Sequence, residues 1–533
     1  MNEVSKTIKK AVKELFSVDI EPELSRPEEQ FGDFASNVAM QLAPKLAKAP
    51  REIAEALKTK LDGAEYYEKV EVAGPGFLNV TLKTNDIWNM ANDATNLPKQ
   101  LAGQEILVEF GDPNPFKEMH IGHLYSYIVG DSISRLFEAN GATVRRLSYH
   151  GDVGLQVAKA IWGMQHQPEG QELGIYYAAG SHAYEDNKEA AEEIQAINEH
   201  IYKKDDEKIN ELYELGKKTS FEYFDKTLKQ LEIRNDRRYL ESESAAIGIE
   251  FVRKHTGTVF KESDGAIIYD VEKVGLHTRV FITSKGLPTY EAKDLGLAEI
   301  KNRDYPAAAR SIIITANEQS EYFKVMLAAL AEFDKGLADK TTHLSHGFLS
   351  LSTGKMSSRT GEIYSADDLL SDVQGETKKL YPDSTSAAYL AAIKYGLLKH
   401  RLGSDIVYDV SESVSLEGNS GPYLQYAHAR ASSILQKSGD KEAKTADLDE
   451  SEKSLARKIS EYPEVVAKAT DELMPHHVAT YLYELAQTFN RFYEHNRVIG
   501  DPRETTRLGL VKSYADVLKG GLSLLNIAAP EHV

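Results

Sequence analysis

Two histidines three residues apart carry the first chemical signal. They lie in Asp112-Pro113-Asn114-Pro115-Phe116-Lys117-Glu118-Met119-His120-Ile121-Gly122-His123. The stretch follows a short apolar run, Ile106–Phe110, and opens a helical pattern that continues through Leu136. A strand-to-helix junction aims free backbone N–H groups and the positive end of the helix dipole at one point, which favours phosphate. His120 and His123 share a helical face, so both can donate to one phosphate group. Gly122 removes a side chain between them and lets a base or ribose approach the backbone. Two surface histidines in a turn, or a His-x-x-His metal site, compete for the same residues.

A second stretch, Gly354-Lys355-Met356-Ser357-Ser358-Arg359-Thr360-Gly361, is a glycine-flanked loop with two cations and three hydroxyls. Such a loop can close over a triphosphate, with Lys355 offsetting charge on a departing pyrophosphate. A solvated basic turn is the alternative. Third, Tyr290 and Asp294 begin a helix after Lys285-Gly286-Leu287-Pro288-Thr289; four residues apart, they share a face. An ordinary helix start with an acidic first turn has the same pattern.

These groups need a scaffold. Ile106–Phe110, the helix to Leu136 and the strand Thr143–Ser148 form a β-α-β unit, which implies a parallel, doubly wound sheet. Residues 165–250 are polar and mostly helical and read as an insertion. Ala266–Asp270 and Thr278–Thr283 look like paired strands. Helix Tyr290–Asn302, strand Ser311–Thr315, helix Glu318–Phe333 and strand His343–Ser350 then continue the sheet. Residues 1 to about 98 form a small α/β unit, with helices at Ala35–Ala47 and Pro50–Leu61 and strands at Val70–Ala73 and Phe77–Leu82. Beyond about 370 the pattern is helical: Asp383–Leu398, Gly421–Lys437, Ser451–Thr470, His476–Asn496 and Glu504–Leu525. The expected division is 1–98, 99–370 and 371–533.

Composition narrows the chemistry. The 533 residues carry 63 Lys+Arg against 82 Asp+Glu, net −19, so nucleic acid can be held only by local basic patches. There is no cysteine, which excludes thiol nucleophiles, disulfides and Cys-ligated metals. No stretch of 18 apolar residues exists and no signal-peptide core begins the chain, so we expect no membrane span and a cytoplasmic protein.

The histidine-glycine-histidine motif followed much later by Lys-Met-Ser-Ser resembles the class I aminoacyl-tRNA synthetases. Further pieces narrow the resemblance to the arginyl-tRNA synthetase family. They are Phe31-Gly32-Asp33-Phe34-Ala35-Ser36-Asn37, Gly74-Pro75-Gly76-Phe77-Leu78-Asn79, Gly418-Asn419-Ser420-Gly421-Pro422-Tyr423-Leu424-Gln425-Tyr426-Ala427 and Phe489-Asn490-Arg491-Phe492-Tyr493. The resemblance implies a Rossmann-like parallel-sheet catalytic domain with a helical insertion. A small N-terminal α/β domain would contact tRNA, and a C-terminal all-α domain would bind the anticodon. It implies ATP as substrate with Mg2+, no protein-held metal, L-arginine and tRNA(Arg) as partners, and a monomer.

By the same resemblance, ATP would meet Pro113, Asn114, His120, Gly122, His123, Lys355, Met356, Ser357 and Ser358. Catalysis would rest on His120, His123, Lys355 and Lys117; both lysines are present, and either can serve the phosphates. Arginine would meet Glu109, Asp112, Asn114, Tyr290, Asp294 and Gln319, and tRNA would meet Phe31, Asn37, Tyr426, Arg491 and Arg497. Asp112 departs from the family's usual serine or alanine, and either binds the substrate α-ammonium or caps the turn. Val153 stands where tryptophan is common, and the chain closes on Pro530-Glu531-His532-Val533 rather than on methionine. Another adenylyl-transferring Rossmann enzyme, a non-catalytic paralogue, or a cysteine or glutamine specificity are the alternatives. The intact motifs and the absence of cysteine argue against them.

Overall fold

The computed structural model describes residues 2–270, 277–352, 364–439 and 447–532. At the amino end, helix α1 (Asn2–Phe16), strands β1 (Leu24–Ser25) and β2 (Phe34–Ser36), and helices α2 (Val38–Leu46) and α3 (Pro50–Leu61) precede strands β3 (Tyr67–Ala73) and β4 (Phe77–Leu82). The four strands form an antiparallel sheet in the order β1-β2-β4-β3. The helix expected from Ala35 starts only at Val38, because Phe34–Ser36 pairs with Leu78–Val80. Pro50 opens α3 at its first turn, where a missing N–H costs no bond. Helix α4 (Thr84–Asn92) leads onward.

The central sheet is built from strand β5 (Glu105–Glu109), helix α5 (Ile121–Ala139) and strand β6 (Thr143–His150). Helices α6 (Leu155–His166), α7 (Leu173–Asp186), α8 (Lys188–Lys203) and α9 (Glu207–Gln230) then leave the sheet. Strand β7 (Arg237–Leu240) returns to it and runs into helix α10 (Glu241–Lys254). Strands β8 (Lys261–Ser263), β9 (Ala266–Tyr269) and β10 (Arg279–Ile282) make a separate antiparallel sheet. Helix α11 (Tyr290–Asp304), strand β11 (Ala308–Ala316), helices α12 (Ser320–Phe333) and α13 (Lys335–Lys340) and strand β12 (Thr341–His346) complete the unit. Its order is β12-β11-β5-β6-β7, parallel throughout. Strand order reverses between β5 and β11, so the crevice at their carboxyl ends is the natural ligand site.

Two expectations need correction here. Strand β7 lies inside the stretch read as an insertion; as an edge strand it carries an exposed Arg237 and a half-buried Arg238 and lacks an apolar run. The strand expected over His343–Ser350 breaks at Gly347, where a Cβ would lie 2.2 Å from the Ser404 carbonyl oxygen. Beyond the break, strand β13 (Leu349–Leu351) pairs instead with a strand far downstream, Ile406–Tyr408.

The carboxyl part holds helices α14 (Ala366–Leu380) and α15 (Ser386–Leu398), strand β14 (Ile406–Tyr408), and helices α16 (Val410–Ser413) and α17 (Gly421–Ser438). Helices α18 (Glu450–Ser460), α19 (Tyr462–Glu472), α20 (His476–His495) and α21 (Glu504–Leu524) follow. The single helix expected over Ser451–Thr470 is two, since Pro463 fits only the first turn of a new helix. Among the described residues, no helix is long and apolar enough to cross a membrane.

The three parts are fastened together. One apolar core runs from the amino-terminal sheet through α5 into the carboxyl helices. Around it, Arg26 pairs with Glu464 at 2.9 Å, Arg457 lies 3.6 Å from Asp33 and donates to the Pro27 carbonyl, and Ser454 donates to Glu29. Ser132 of α5 donates to the Leu524 carbonyl at 2.9 Å, and Arg135 reaches Asn526 at 2.8 Å.

Candidate active site

The loop between β5 and α5 is held from several sides. Gly111 (φ +89°) turns the chain, and a Cβ there would strike the Tyr127 ring at 2.3 Å. The Asp112 carboxylate, on a residue with φ +51°, accepts the Tyr149 N–H at 2.7 Å, tying the ends of β5 and β6 together. The Pro113 carbonyl accepts Nδ1–H of His150 at 2.7 Å, and the other ring nitrogen of His150 meets Ser148 at 2.8 Å. Asn114 Oδ1 accepts the Gly151 N–H at 3.1 Å, and its amide N–H groups have no acceptor among the described residues. The Phe116 N–H donates to Ser220 of α9 at 2.8 Å, so an inserted helix braces the loop.

His120 caps α5. Its Nδ1 accepts the Gly122 N–H at 3.1 Å, and Nδ1 of His123 accepts the His120 N–H at 3.3 Å. A backbone N–H can only donate, so both rings are fixed as the tautomer with hydrogen on Nε2. The rings stack with centroids 3.6 Å apart. Burial, with His346 and Lys117 nearby, pushes His120 down to about 4, and burial likewise holds His123 well below the ordinary histidine value. The pair is therefore neutral and presents two Nε2–H donors with no protein acceptor among the described residues. Gly122 has a further reason to lack a side chain: a Cβ would lie 2.9 Å from the His120 ring. Lys117 rests its ammonium 4.1 Å from the Tyr177 ring centre on α7.

Lys355, Met356, Ser357 and Ser358 lie outside the described residues. The residues just past that segment, Tyr364–Ala366, bond to Met119–Ile121: the Ile121 N–H reaches the Tyr364 carbonyl at 3.2 Å, and the Ala366 N–H reaches that of Met119 at 2.7 Å.

Below the histidines, five carboxylates gather at the carboxyl ends of the strands. Glu109 is buried and bonded to Lys301 at 2.9 Å; Glu241 is buried and bonded to Lys293 at 2.5 Å. Asp152 accepts three donors: the Ser242 N–H, the Ser242 hydroxyl and Tyr213. Asp112 and Asp294 differ. Each accepts one bond, from Tyr149 and from Tyr322 respectively, and neither has an ion-pair partner among the described residues. Burial, reinforced by Glu109, holds Asp112 well above the carboxylate range; burial, with Glu109 and Glu241 adding to it, raises Asp294 to about 8. Of the carboxylates without an ion-pair partner among the described residues, Asp152 is satisfied by three donors, whereas Asp112 and Asp294 are left with one each. Tyr290 stands at the rim, 60% exposed, with the Lys293 ammonium 5.1 Å from its ring centre. Gln319 is exposed in the turn Asn317–Gln319 at the end of β11.

The structure thus brings Glu109, Asp112, Pro113, Asn114, Lys117, His120, Gly122, His123, Tyr290, Asp294 and Gln319 to one end of one sheet. Sequence reasoning missed Lys301, Lys293, Glu241, His150 and Tyr322. All act across long separations, with no local spacing to betray them.

The expected tRNA contacts are spread over the outer parts. Phe31 is exposed, whereas Phe34 is fully buried beneath the Arg26 guanidinium. Asn37 donates to Glu23 at 2.6 Å, and its carbonyl oxygen is buried without a partner among the described residues. Tyr426 is half-exposed, and Arg430 lies 4.8 Å from its ring centre and bonds its hydroxyl. Arg491 and Arg497 are exposed. Arg503 and Arg507 of the same basic stretch are committed to the buried Glu452.

Comparison with known proteins agrees with this geometry. Residues 87–387 match the family described as tRNA synthetases class I (R), catalytic domain. Residues 2–82 match the arginyl tRNA synthetase N terminal domain, and 424–533 the DALR anticodon binding domain. The arginine–tRNA ligase of Lactobacillus delbrueckii subsp. bulgaricus is 30% identical over 97% of this chain and 96% of its own. That of Limosilactobacillus reuteri (strain DSM 20016) is 30% identical over 100% and 99%. The Thermus thermophilus arginyl-tRNA synthetase structure superposes with a TM-score of 0.84 at 27% identity, covering all of both chains. With a catalytic-domain match spanning more than half of its length and relatives aligned end to end, this chain belongs to the arginyl-tRNA synthetase family.

Proposed function

We propose that this protein is an arginine–tRNA ligase. The arginine carboxylate attacks the α-phosphate of ATP, giving arginyl-adenylate and pyrophosphate. A terminal ribose hydroxyl of tRNA(Arg) then takes the arginyl group and AMP leaves. No protein nucleophile is needed; positioning and charge stabilisation suffice.

The observation that carries this reading is the charge balance of the crevice. Two buried carboxylates, Asp112 and Asp294, have neither a cation nor more than one hydrogen-bond donor among the described residues, and arginine brings two cationic groups, its guanidinium and its α-ammonium. A planar guanidinium with five donors suits a fixed carboxylate. We assign Asp294 and Tyr290 to the guanidinium end, Asp112 to the α-ammonium, and Asn114 and Gln319 to polar contacts. Glu109 acts through Lys301, which it holds. Nε2–H of His120 and His123 donate to the ATP phosphates beside Pro113 and Gly122. Lys117 and the Lys355-Met356-Ser357-Ser358 loop offset phosphate charge, and Mg2+ arrives with ATP. The working division is 1–98, 99–370 and 371–533, with Phe31, Asn37, Tyr426, Arg491 and Arg497 toward tRNA. The protein works as a cytoplasmic monomer.

The test is arginine-dependent ATP–pyrophosphate exchange, with and without tRNA(Arg). Exchange that needs both arginine and tRNA supports the reading and couples the outer parts to the site. Exchange without tRNA keeps the activity and rejects that coupling. No exchange from folded protein overturns the reading.

A further inference from the structure

Asp294 is poorly placed to be a charged ligand unaided. It is packed beside Glu109 on β5 and Glu241 on α10, with Asp112 on the loop and the Tyr149 phenol on β6 also facing it. Lys301, on its own helix, is engaged by Glu109 at 2.9 Å. Burial and the two glutamates favour the protonated acid, and the lysine, already spent, works only weakly against them. A protonated Asp294 offers a guanidinium no charge. One group works the other way: the phenol of Tyr322, in the first turn of α12, donates to Asp294 Oδ2. Burial keeps that phenol protonated well beyond the ordinary tyrosine value, so it remains a donor at any physiological pH. Its ring is fixed edge-on to Phe323, with centroids 4.9 Å apart. Among the described residues, Oδ1 of Asp294 has no partner.

We propose that Tyr322 is a positioning residue for arginine: its phenol clamps Oδ2 of Asp294, keeps the carboxylate ionisable and leaves Oδ1 for the guanidinium. This rests on the arginine reading of the crevice. Tyr322 acts only through Asp294, so it sets how tightly arginine is held and at which pH, and leaves ATP alone. A hydrogen bond to a charged group is worth enough that its loss weakens binding about tenfold to a hundredfold.

The experiment is calorimetric titration of L-arginine, and separately of ATP, into the full chain and into Tyr322→Phe between pH 6.5 and 9. Phenylalanine keeps the ring packing and removes only the donor. The expected result is an arginine Kd raised about tenfold or more at pH 7.5, an ATP Kd within about twofold of wild type, and a higher pH for the onset of tight arginine binding. An unchanged arginine Kd and pH profile would overturn the proposal. So would equal weakening of arginine and ATP, since that marks general loosening. If the wild-type chain takes up no arginine at any pH, the arginine reading falls and this proposal with it. If wild type binds arginine and Tyr322→Phe behaves identically, this proposal alone falls.

Discussion

Arginine affinity should climb steeply with pH. With Asp294 raised to about 8, roughly 1% of it is ionised at pH 6, about 10% at pH 7 and about half at pH 8. Only the ionised form pairs with a guanidinium, so the apparent Kd scales as 1 + 10^(8 − pH). It should fall about ninefold from pH 6 to 7, about fivefold from 7 to 8 and about twofold from 8 to 9. Binding at pH 7 should therefore expel about 0.9 proton. Calorimetry in two buffers of different ionisation heat reads that proton directly, and Asp294→Asn should remove the Asp294 share of the slope and of the release, leaving only what Asp112 contributes. The same linkage acts on folding. The folded state binds the Asp294 proton more tightly than the unfolded chain, so the ligand-free protein loses stability as pH rises from about 4 through 8. Arginine restores it, and its thermal shift should be larger at pH 8 than at 6.5. An arginine Kd that stays flat between pH 6 and 8 would refute the reasoning.

Three further outcomes follow from the geometry. His123→Ala should slow adenylate formation about a hundredfold. Because both imidazoles are already neutral, with His120 pushed down to about 4, wild-type adenylate formation should show no histidine step between pH 5.5 and 7.5; a clear inflection near 6.5 would contradict the fixed tautomers. Lys355→Ala should slow adenylate formation while leaving tRNA binding by filter assay nearly unchanged, and collapse of tRNA binding would mean the loop is an RNA contact. Glu452→Gln should cost about 1–3 kcal/mol in denaturant unfolding, because the buried carboxylate's charged hydrogen bonds to Arg503 and Arg507 are lost while Asp449 and Asp501 still face Arg507; an unchanged unfolding midpoint would show that those bonds add nothing to stability.

What could be read from residues alone followed local spacing. Ile106–Phe110 and Thr143–Ser148 are buried runs whose apolar character survives any context, so the parallel sheet was legible. That His120 and His123 meet was legible because only two residues separate them, whereas Tyr290 and Asp294 were singled out by the family resemblance, their spacing alone being that of any helix start. Strand β7 was not, since an edge strand needs no apolar face and Arg237 and Arg238 look like surface. The break at Glu461 was marked by Pro463, yet the flanking helical periodicity concealed it. The ionic order of the crevice was invisible. Glu109 meets Lys301 across 192 residues, Glu241 meets Lys293 across 52, and Tyr322 meets Asp294 across 28. Nothing in a linear pattern tells a carboxylate already neutralised from one awaiting substrate, and that distinction assigns Asp112 and Asp294 rather than Glu109.

The clasp between the two ends of the chain sets an order of events at the ribosome. Arg457 finds the Pro27 carbonyl 430 residues upstream, and Arg26 finds Ser460 434 residues downstream. At about 5–20 residues per second, the amino-terminal sheet waits roughly twenty seconds to a minute and a half for its partner helix to be synthesised. During that wait its docking face, with Arg26, Asp33 and the edge of β1, is open to other nascent chains.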